Sequence, residues 1–264
     1  MRVILVHNFL TPYRLPLFRE LARRVDFHVW ILGDVRGIRE WQTQAEGFNC
    51  EFLPHRSFSL GSRDFRFLLN PGLSQKLAAA APDLLICTGW DSLAAFKVAR
   101  WARRNGVPYV LWSGSTANEP NWRRSLGRRA VTRLICHADA CLAYGTRAEA
   151  YLKNAGADPD RVFCAFNTVA TDEFARGSTL DTARRQEIRE EMELNTPYVV
   201  LFCGQLIARK GVDELMQAFL RLERSDITLV FAGSGGQEAR LREIAAPLRD
   251  RVRFPGFVPR EKLP

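Results

Sequence analysis

The chain has 264 residues, of which 47% are hydrophobic and 25% are charged. This composition is typical of a globular protein that buries a core, and it excludes a disordered chain. The start, MRVILVHNFL, lacks a small-residue cleavage site, and no apolar stretch approaches the roughly 20 residues that cross a bilayer. We therefore expect a cytoplasmic protein with no signal peptide and no membrane span.

Positive charge is concentrated in one part of the chain. The net charge is +9, and residues 97–133 alone contain nine basic residues against one acid, Glu119. Such a segment attracts phosphate groups of nucleic acid, of an anionic membrane or of a phosphorylated substrate. It is equally compatible with an ordinary solvated surface.

The six cysteines do not form a metal-binding pattern. No pair has the CxxC spacing, and Cys136, His137 and Cys141 lack a fourth ligand at the spacing of a zinc site. We therefore expect no metal site. Four cysteines lie inside apolar runs and are predicted to be buried free thiols of a reducing compartment, namely Cys87, Cys141, Cys164 and Cys203.

Short runs rich in Val, Ile, Leu and Phe alternate with longer segments of helical period, which predicts an α/β fold. In the first half, the predicted strands are 3–7, 27–32, 50–54, 83–88, 109–112, 138–144 and 161–166. The first predicted helix is entered between Pro12 and Pro16 and continues through Ala22, and the second begins at Pro71 and ends before Pro82. The other predicted helices are 91–104, 123–136 and 146–155. The arginine-rich residues 55–70 are expected to form an irregular surface loop. Short turns join the helix 91–104 to the strands 83–88 and 109–112. These two strands should therefore be parallel neighbours with a right-handed crossover.

A polar segment, residues 170–195, precedes a second α/β series. Its predicted strands are 198–204, 227–233 and 251–256, and its predicted helices are 211–223 and 236–246. The domains predicted from this pattern are 1–175, an exposed linker helix at 176–196, and a partial second domain at 197–264. A complete doubly wound half usually has about six strands. We therefore expect the second domain to be incomplete and to leave an apolar sheet edge exposed.

Ligands of open parallel sheets bind beyond the carboxyl ends of the strands. The segment after the first strand has no glycine, which argues against a GxGxxG dinucleotide site, but it places Asn8, Tyr13 and Arg14 at that edge. Asp91 follows the fourth predicted strand, and Ser113 follows the fifth. Plainer interpretations stay open, since Arg14 could lie on the surface and Asp91 could cap a helix.

The strand ends of the second half are richer in glycine. Gly204 ends one strand, and Arg209 and Lys210 follow it just before a helix. Adjacent cations at a helix N-terminus suit a diphosphate, and glycine permits close approach. Gly233 and Gly235 follow the next strand, although glycines at such positions often mark only tight turns.

Taken in order, these motifs resemble those of retaining GT-B glycosyltransferases of family 4. The segments that carry the resemblance are TPYRLPLF (11–18), NTVATDEF (167–174), GQLIARKG (204–211), GSG (233–235) and VRFPGFV (252–258). The resemblance spans essentially the whole chain. It implies two Rossmann-like parallel-sheet domains, the second incomplete here, and a nucleotide-sugar donor without a metal or other cofactor.

The resemblance also implies roles for residues. Arg209 and Lys210 would hold the diphosphate of the donor, Gly204, Gly233 and Gly235 would give it room, and Phe257 and Val258 would meet the nucleobase. The first domain would receive the acceptor, with candidate contacts at Asn8, Tyr13, Arg14, Asp91 and Ser113.

Three departures from the family pattern weaken the expected activity. The family's glycine pair after the first strand is absent, and Ser113-Gly114 stands where a histidine often follows the fifth strand. The E-x7-E segment that binds the donor sugar should follow Pro264. The chain as given is therefore expected to be a poor catalyst.

The acceptor expected from the resemblance is a glycan or a lipid-linked precursor of a cell-envelope polysaccharide. The basic segment 97–133 suits peripheral contact with the cytoplasmic face of a membrane. This segment also contains an apolar stripe at helical spacing, which is equally the pattern of a helix that faces a core. The stripe consists of Trp122, Leu126, Ala130 and Leu134.

Two other functions stay open. A nucleotide-sugar epimerase on the same fold needs a pair of acid–base carboxylates, and the sequence shows no convincing pair. A non-catalytic module for nucleotides or polyanions would bind with strong salt dependence. The aromatic and basic motifs that interleave in nucleic-acid-binding strands are missing, so we expect no nucleic-acid partner.

Overall fold

The computed structural model describes residues 1–33, 45–59, 66–90, 92–117 and 123–263. The chain divides into two compact units, Met1–Ala170 and Thr171–Pro264. Residues 171–196, predicted in part as the end of the first domain and in part as a linker, lie within the second unit.

The first unit is an α/β unit with one large parallel sheet. Its strands are β1 (Arg2–His7), β2 (Asp26–Ile31), β3 (Asn49–Phe52), β4 (Arg56–Ser59), β5 (Arg66–Leu69), β6 (Leu84–Thr88), β7 (Tyr109–Ser113), β8 (Ala140–Ala143) and β9 (Val162–Cys164). Its helices are α1 (Leu15–Arg24), α2 (Leu73–Ala80), α3 (Leu93–Asn105), α4 (Arg123–Cys136) and α5 (Thr146–Asn154). Within the described ranges, seven strands pair in the order β3-β2-β1-β6-β7-β8-β9. The predicted parallel pairing of β6 with β7 is confirmed, with Leu85 opposite Tyr109.

The central strands of the first sheet are buried on both faces, as is usual for a parallel sheet with helices on each side. In β1, Ile4 and Val6 pack into one apolar cluster, and Val3 and Leu5 pack into a second cluster with Phe18 of α1. The alternation follows from the period of two in a strand. An unbroken apolar run therefore becomes a central strand whose last residue reaches the carboxyl edge.

Helix α3 shows how local sequence positions this edge. It buries Ala94, Ala95, Val98 and Ala102 on one face. The helix ends at Gly106, whose φ of 66° is left-handed and therefore favours glycine. The chain then enters β7 beside β6, which brings the ends of these strands together.

The arginine-rich segment 55–70 differs from the prediction. Residues 56–59 and 66–69 form an antiparallel pair in which Arg56 lies opposite Leu69. These two strands are stabilised by their mutual backbone hydrogen bonds. The local sequence of each strand therefore carries no clear strand pattern.

The second unit contains a smaller parallel sheet. Its elements are α6 (Thr171–Gly177), α7 (Thr182–Glu191), β10 (Tyr198–Cys203), α8 (Val212–Leu220), β11 (Ile227–Ala232), α9 (Glu238–Ala245) and β12 (Val252–Gly256). The described strands pair in the order β10-β11-β12. Met216 of α8, Leu241 of α9 and Phe231 of β11 meet in its core.

Strand β10 is an edge strand with exposed apolar side chains, as expected from the strand count. Tyr198 and Leu201 are 57% and 62% exposed. The prediction of buried thiols is correct for Cys87 and Cys141 but wrong for Cys164 and Cys203, which are exposed. The reason is position in the sheet: an apolar run at an edge is not covered as a central one is.

Among the described helices, none is both long enough and apolar enough to cross a membrane. In α4, Leu134 is buried while Ala130 is exposed. Trp122 and the side chain of Leu126, which complete the predicted stripe, lie outside the described part of the chain.

Candidate functional site

The ends of the central strands bring polar side chains together in the first unit. His7 ends β1 and Thr88 ends β6, and His7 Nδ1 lies 2.7 Å from Thr88 Oγ1. Ser113 ends β7, and its backbone oxygen accepts a hydrogen bond of 3.1 Å from the nitrogen of Tyr144, which follows β8. The carboxyl ends of these four strands therefore lie side by side.

Arg14 is a buried cation at this edge. It is only 3% exposed, so the alternative surface position does not apply. Its Nη2 donates to the hydroxyl of Tyr144, and its guanidinium carbon lies 4.4 Å from the centroid of the Trp112 ring and 5.0 Å from that of Tyr144. The aromatic faces stabilise the desolvated charge by cation–π attraction. Arg14 Nε and Nη1 have no hydrogen-bond partner among the described residues.

Burial at this edge keeps His7 neutral. Burial, and secondarily the nearby Arg14 guanidinium, lowers the pKa of His7 to about 3. Further buried polar atoms without a partner in the described part of the chain are His7 Nε2, Asn8 Oδ1, Thr11 Oγ1 and Trp112 Nε1. Because such atoms are costly when they stay unpaired, this edge has hydrogen-bonding capacity for a polar ligand.

Four of the five acceptor candidates lie at this edge. Asn8 directly follows β1 and is half-buried, and the Tyr13 ring centroid lies 5.6 Å from the Arg14 guanidinium carbon. Ser113 is buried, and its Oγ accepts a hydrogen bond of 3.2 Å from the nitrogen of Ser115, so it also holds its own loop. Asp91 lies outside the described residues.

Glycines bring the strand ends of the second unit into backbone contact. The nitrogen of Gly233, after β11, donates to the oxygen of Gly256 at the end of β12, at 2.7 Å. A Cβ on Gly233 would lie 1.9 Å from the oxygen of Gly204, and one on Gly235 would lie 2.3 Å from the oxygen of Leu206. Larger residues do not fit at these positions, so the edge is lined by backbone.

Arg209 and Lys210 lie in a short 3-10 turn between β10 and α8, and both are exposed. The turn closes at Gly211, which has a φ of 70° and is the N-cap of α8. Neither cation forms an ion pair or a side-chain hydrogen bond with the described residues. Asp213 and Glu214 occupy the first turn of α8, so any attraction for an anion at this helix end comes from the cationic pair.

Phe257 and Val258 directly follow β12. Phe257 is 38% exposed and Val258 is half-buried. The structure thus places all of the predicted donor-binding residues after the carboxyl ends of β10, β11 and β12.

None of His7, Thr88, Trp112 and Tyr144 was assigned to the acceptor site from the sequence. His7 and Thr88 are the last residues of apolar runs, so their place at the strand ends was an available signal. Trp112 and Tyr144 lie in apolar runs where an aromatic residue usually indicates core packing, and their contact with Arg14 joins distant parts of the chain.

No group of three or more His, Cys, Asp or Glu side chains in the described ranges is placed to hold a metal ion.

Two family models match this chain. Residues 10–165, more than half of the chain, match the "Glycosyl transferase 4-like domain", and residues 184–264 match "Glycosyl transferases group 1". The chain belongs to the GT-B glycosyltransferases of the family-4-like type.

Two curated proteins are similar in sequence to part of this chain. It is 30% identical over 190 residues to an alpha-D-kanosaminyltransferase of Streptomyces kanamyceticus, which covers 67% of this chain and 48% of the relative. It is 31% identical over 140 residues to a D-inositol 3-phosphate glycosyltransferase of Xylanimonas cellulosilytica, which covers 50% of this chain and 33% of the relative. The chain thus spans about half or less of the length of these relatives.

A solved structure shares the fold. The HepE protein of Anabaena, crystallised in complex with UDP, superposes with a TM-score of 0.73 at 16% identity, over 98% of this chain and 70% of that one. The predicted α/β GT-B fold is confirmed.

Proposed function

We propose that the protein transfers a sugar from a nucleotide-sugar donor to an acceptor, with retention of the anomeric configuration. The observation that carries this proposal is the carboxyl edge of the second sheet, where glycine backbones meet beside Arg209 and Lys210, two cations that form no ion pair with a described residue. The presence of UDP in the HepE complex, on the same fold, supports a nucleotide ligand.

Two exposed cations match the charge that develops in such a reaction. When the bond between the sugar and the diphosphate breaks, negative charge grows on the leaving diphosphate, and cations placed beside it lower the barrier. Arg209 offers a planar fork of N–H donors and Lys210 a compact charge. In this proposal they take the role that a metal ion has in other transferases, so no cofactor is required.

Glycine and aromatic surfaces complete the proposed donor site. Gly233 and Gly235 let the loops after β10 and β11 pack backbone against backbone at the proposed site, and Gly204 adds no side chain there. The exposed ring of Phe257 offers a stacking face for a nucleobase, with Val258 beside it.

The acceptor is proposed to bind at the carboxyl edge of the first sheet. Asn8 Oδ1 and His7 Nε2 have no partners among the described residues, and an acceptor hydroxyl can satisfy such atoms. Tyr13, Arg14 and Ser113 adjoin them.

We further propose a cytoplasmic enzyme of cell-envelope polysaccharide synthesis, with a glycan or a lipid-linked acceptor and peripheral membrane contact through the basic residues 97–133. The epimerase alternative would show as conversion of the donor sugar without any acceptor. The binding-module alternative would show as binding with strong salt dependence and without selectivity for nucleotide-sugars.

Calorimetric titration with UDP, GDP and ADP tests the donor site. The variant Arg209→Ala/Lys210→Ala is compared with Arg185→Ala/Arg221→Ala, which removes the same charge from exposed positions of the same unit. Hydrogen bonds to charged groups contribute about 1.5–3 kcal/mol each, so two lost contacts weaken binding on the order of 100-fold or more. We expect this loss in the first variant only. Equal losses in both variants, or no nucleotide binding at all, would contradict the assignment.

A further inference from the structure

A groove lies between α2 and α3 of the first unit, apart from the candidate residues described above. Its volume is about 490 Å³. It is lined by three cations of α3, by the first turn of α2 and by Asn70. None of its lining residues is acidic.

The three cations are Lys97, Arg100 and Arg104, all exposed. Their spacing of three, four and seven residues places them on one face of α3. None of them is ion-paired within the described part of the chain. Like charges at these spacings destabilise a helix by a few tenths of a kcal/mol, so helix stability does not explain the arrangement.

The first turn of α2 adds donors to the same groove. Gly72, at the N-cap, has a φ of 73° and makes no side-chain capping hydrogen bond, and the first turn contains no acid. The first N–H groups of a helix have no partner within it, and the helix dipole makes this end positive. Leu73, Ser74 and Gln75 of this turn line the groove.

Asn70 contributes a buried acceptor to the groove. It is 3% exposed, and its Nδ2 donates to the backbone oxygens of Leu32 at 2.9 Å and Pro54 at 3.1 Å. These two bonds determine the orientation of the amide, so that Oδ1 is the remaining acceptor. No described residue donates to this Oδ1. A buried acceptor beside a cluster of donors suits a ligand that carries both an anion and a hydroxyl group.

We propose that the groove binds a phosphorylated polyhydroxy compound, free or as a lipid headgroup. The three cations and the first N–H groups of α2 hold the phosphate, and Asn70 Oδ1 accepts a hydrogen bond from a hydroxyl. This site uses none of the proposed donor or acceptor residues, so it stands independently of the proposed transfer. Its three cations do belong to residues 97–133, and the lipid-headgroup arm of the proposal therefore deepens the membrane contact proposed above.

The test compares two probes on matched variants. Glucose 6-phosphate is titrated by calorimetry, with glucose and inorganic phosphate as references. Vesicles that contain phosphatidylglycerol are compared with vesicles of phosphatidylcholine alone by co-sedimentation. The groove variant is Lys97→Gln/Arg100→Gln/Arg104→Gln. Its control is Arg23→Gln/Arg147→Gln/Arg161→Gln, which removes the same charge from exposed positions of the same unit, outside the groove and outside residues 97–133.

We expect the groove variant to lose binding more than about tenfold for glucose 6-phosphate, or on the order of 100-fold for anionic vesicles, while the control keeps it. Loss for the sugar phosphate identifies a free ligand, and loss for the vesicles alone identifies a lipid headgroup. If glucose 6-phosphate binds, it should bind more tightly than inorganic phosphate, because its hydroxyl groups can reach Asn70. Equal losses in both variants, binding of neither probe, or glucose 6-phosphate that binds no more tightly than inorganic phosphate would overturn the proposal.

UDP titration of the groove variant shows whether the groove and the proposed donor site are separate. Its UDP affinity should equal that of the unchanged protein, and Arg209→Ala/Lys210→Ala should still bind the groove's ligand. If the groove variant lost UDP binding as well, the groove would not be a separate site.

Discussion

Replacement of Gly233 with alanine perturbs the backbone contact that forms the second unit's carboxyl edge. The new Cβ would lie 1.9 Å from the oxygen and 2.9 Å from the carbonyl carbon of Gly204. The obstructing atoms are backbone, which cannot rotate away as a flexible side chain can. The loops after β10 and β11 would have to separate, which also strains the hydrogen bond from Gly233 to Gly256.

The expected loss of stability follows from two costs. Gly233 has a φ of +148°, a region where a residue with a Cβ is strained by about 1–3 kcal/mol. Overpacking adds about 1–3 kcal/mol. We therefore expect the free energy of unfolding to fall by about 2–6 kcal/mol, a large part of the ~5–15 kcal/mol of a typical domain.

Urea denaturation, read by hydrogen exchange of the β10, β11 and β12 amides, measures this loss in the second unit. Gly236→Ala in the same loop is the control, because no atom lies within 4 Å of its added Cβ. Its effect should stay below about 1 kcal/mol in either direction. If both variants unfold at the same urea concentration, the close contact between Gly233 and Gly204 is refuted.

Three further changes have defined outcomes. The pKa of His7 is about 3 in the folded protein against 6.5 unperturbed, so the unfolded chain binds more protons between these values. The stability contribution of His7 is therefore complete above pH 6.5 and falls by about 1.4 kcal/mol per unit as the pH drops towards 3. Urea titrations should show a shallower slope for His7→Asn, and an unchanged slope would contradict a buried, neutral His7. A Cβ on Gly114 would lie 2.4 Å from Tyr144 Cδ2, so Gly114→Ala should cost about 1–3 kcal/mol in thermal denaturation, and no change would mean that the ring moves freely. Maleimide should label the exposed Cys164 in the native protein. Burial raises the pKa of Cys87 to about 12, so this thiol should react only after unfolding. Equal labelling rates for the two cysteines would contradict their different burial.

Much of the fold was predictable because the first sheet is built from apolar runs with short joints. The β6–α3–β7 unit is an example, since short turns leave a parallel crossover as the available connection. The β4–β5 pair was not predictable, because each strand depends on the other and neither has a local pattern. The exposure of Cys164 and Cys203 was missed because a run of apolar residues does not indicate whether its strand lies at an edge.

The location of the candidate site was more predictable than its contacts. The rule that ligands bind at carboxyl strand ends selected Asn8, Arg14 and the second unit's glycines. The burial of Arg14 could not be read from its neighbours in sequence, because its hydrogen-bond partner Tyr144 is 130 residues away. The close approach of Gly233 to Gly204 likewise depends on the parallel register of β10 and β11.

We propose that the donor diphosphate binds at the carboxyl edge of the second sheet. Hydrogen exchange of the protein with and without UDP is the decisive measurement, because it locates binding along the backbone. UDP should slow exchange in residues 204–211 and 233–237, and Arg209→Ala/Lys210→Ala should abolish this protection. Protection confined to other segments, or protection that survives in the double variant, would contradict it.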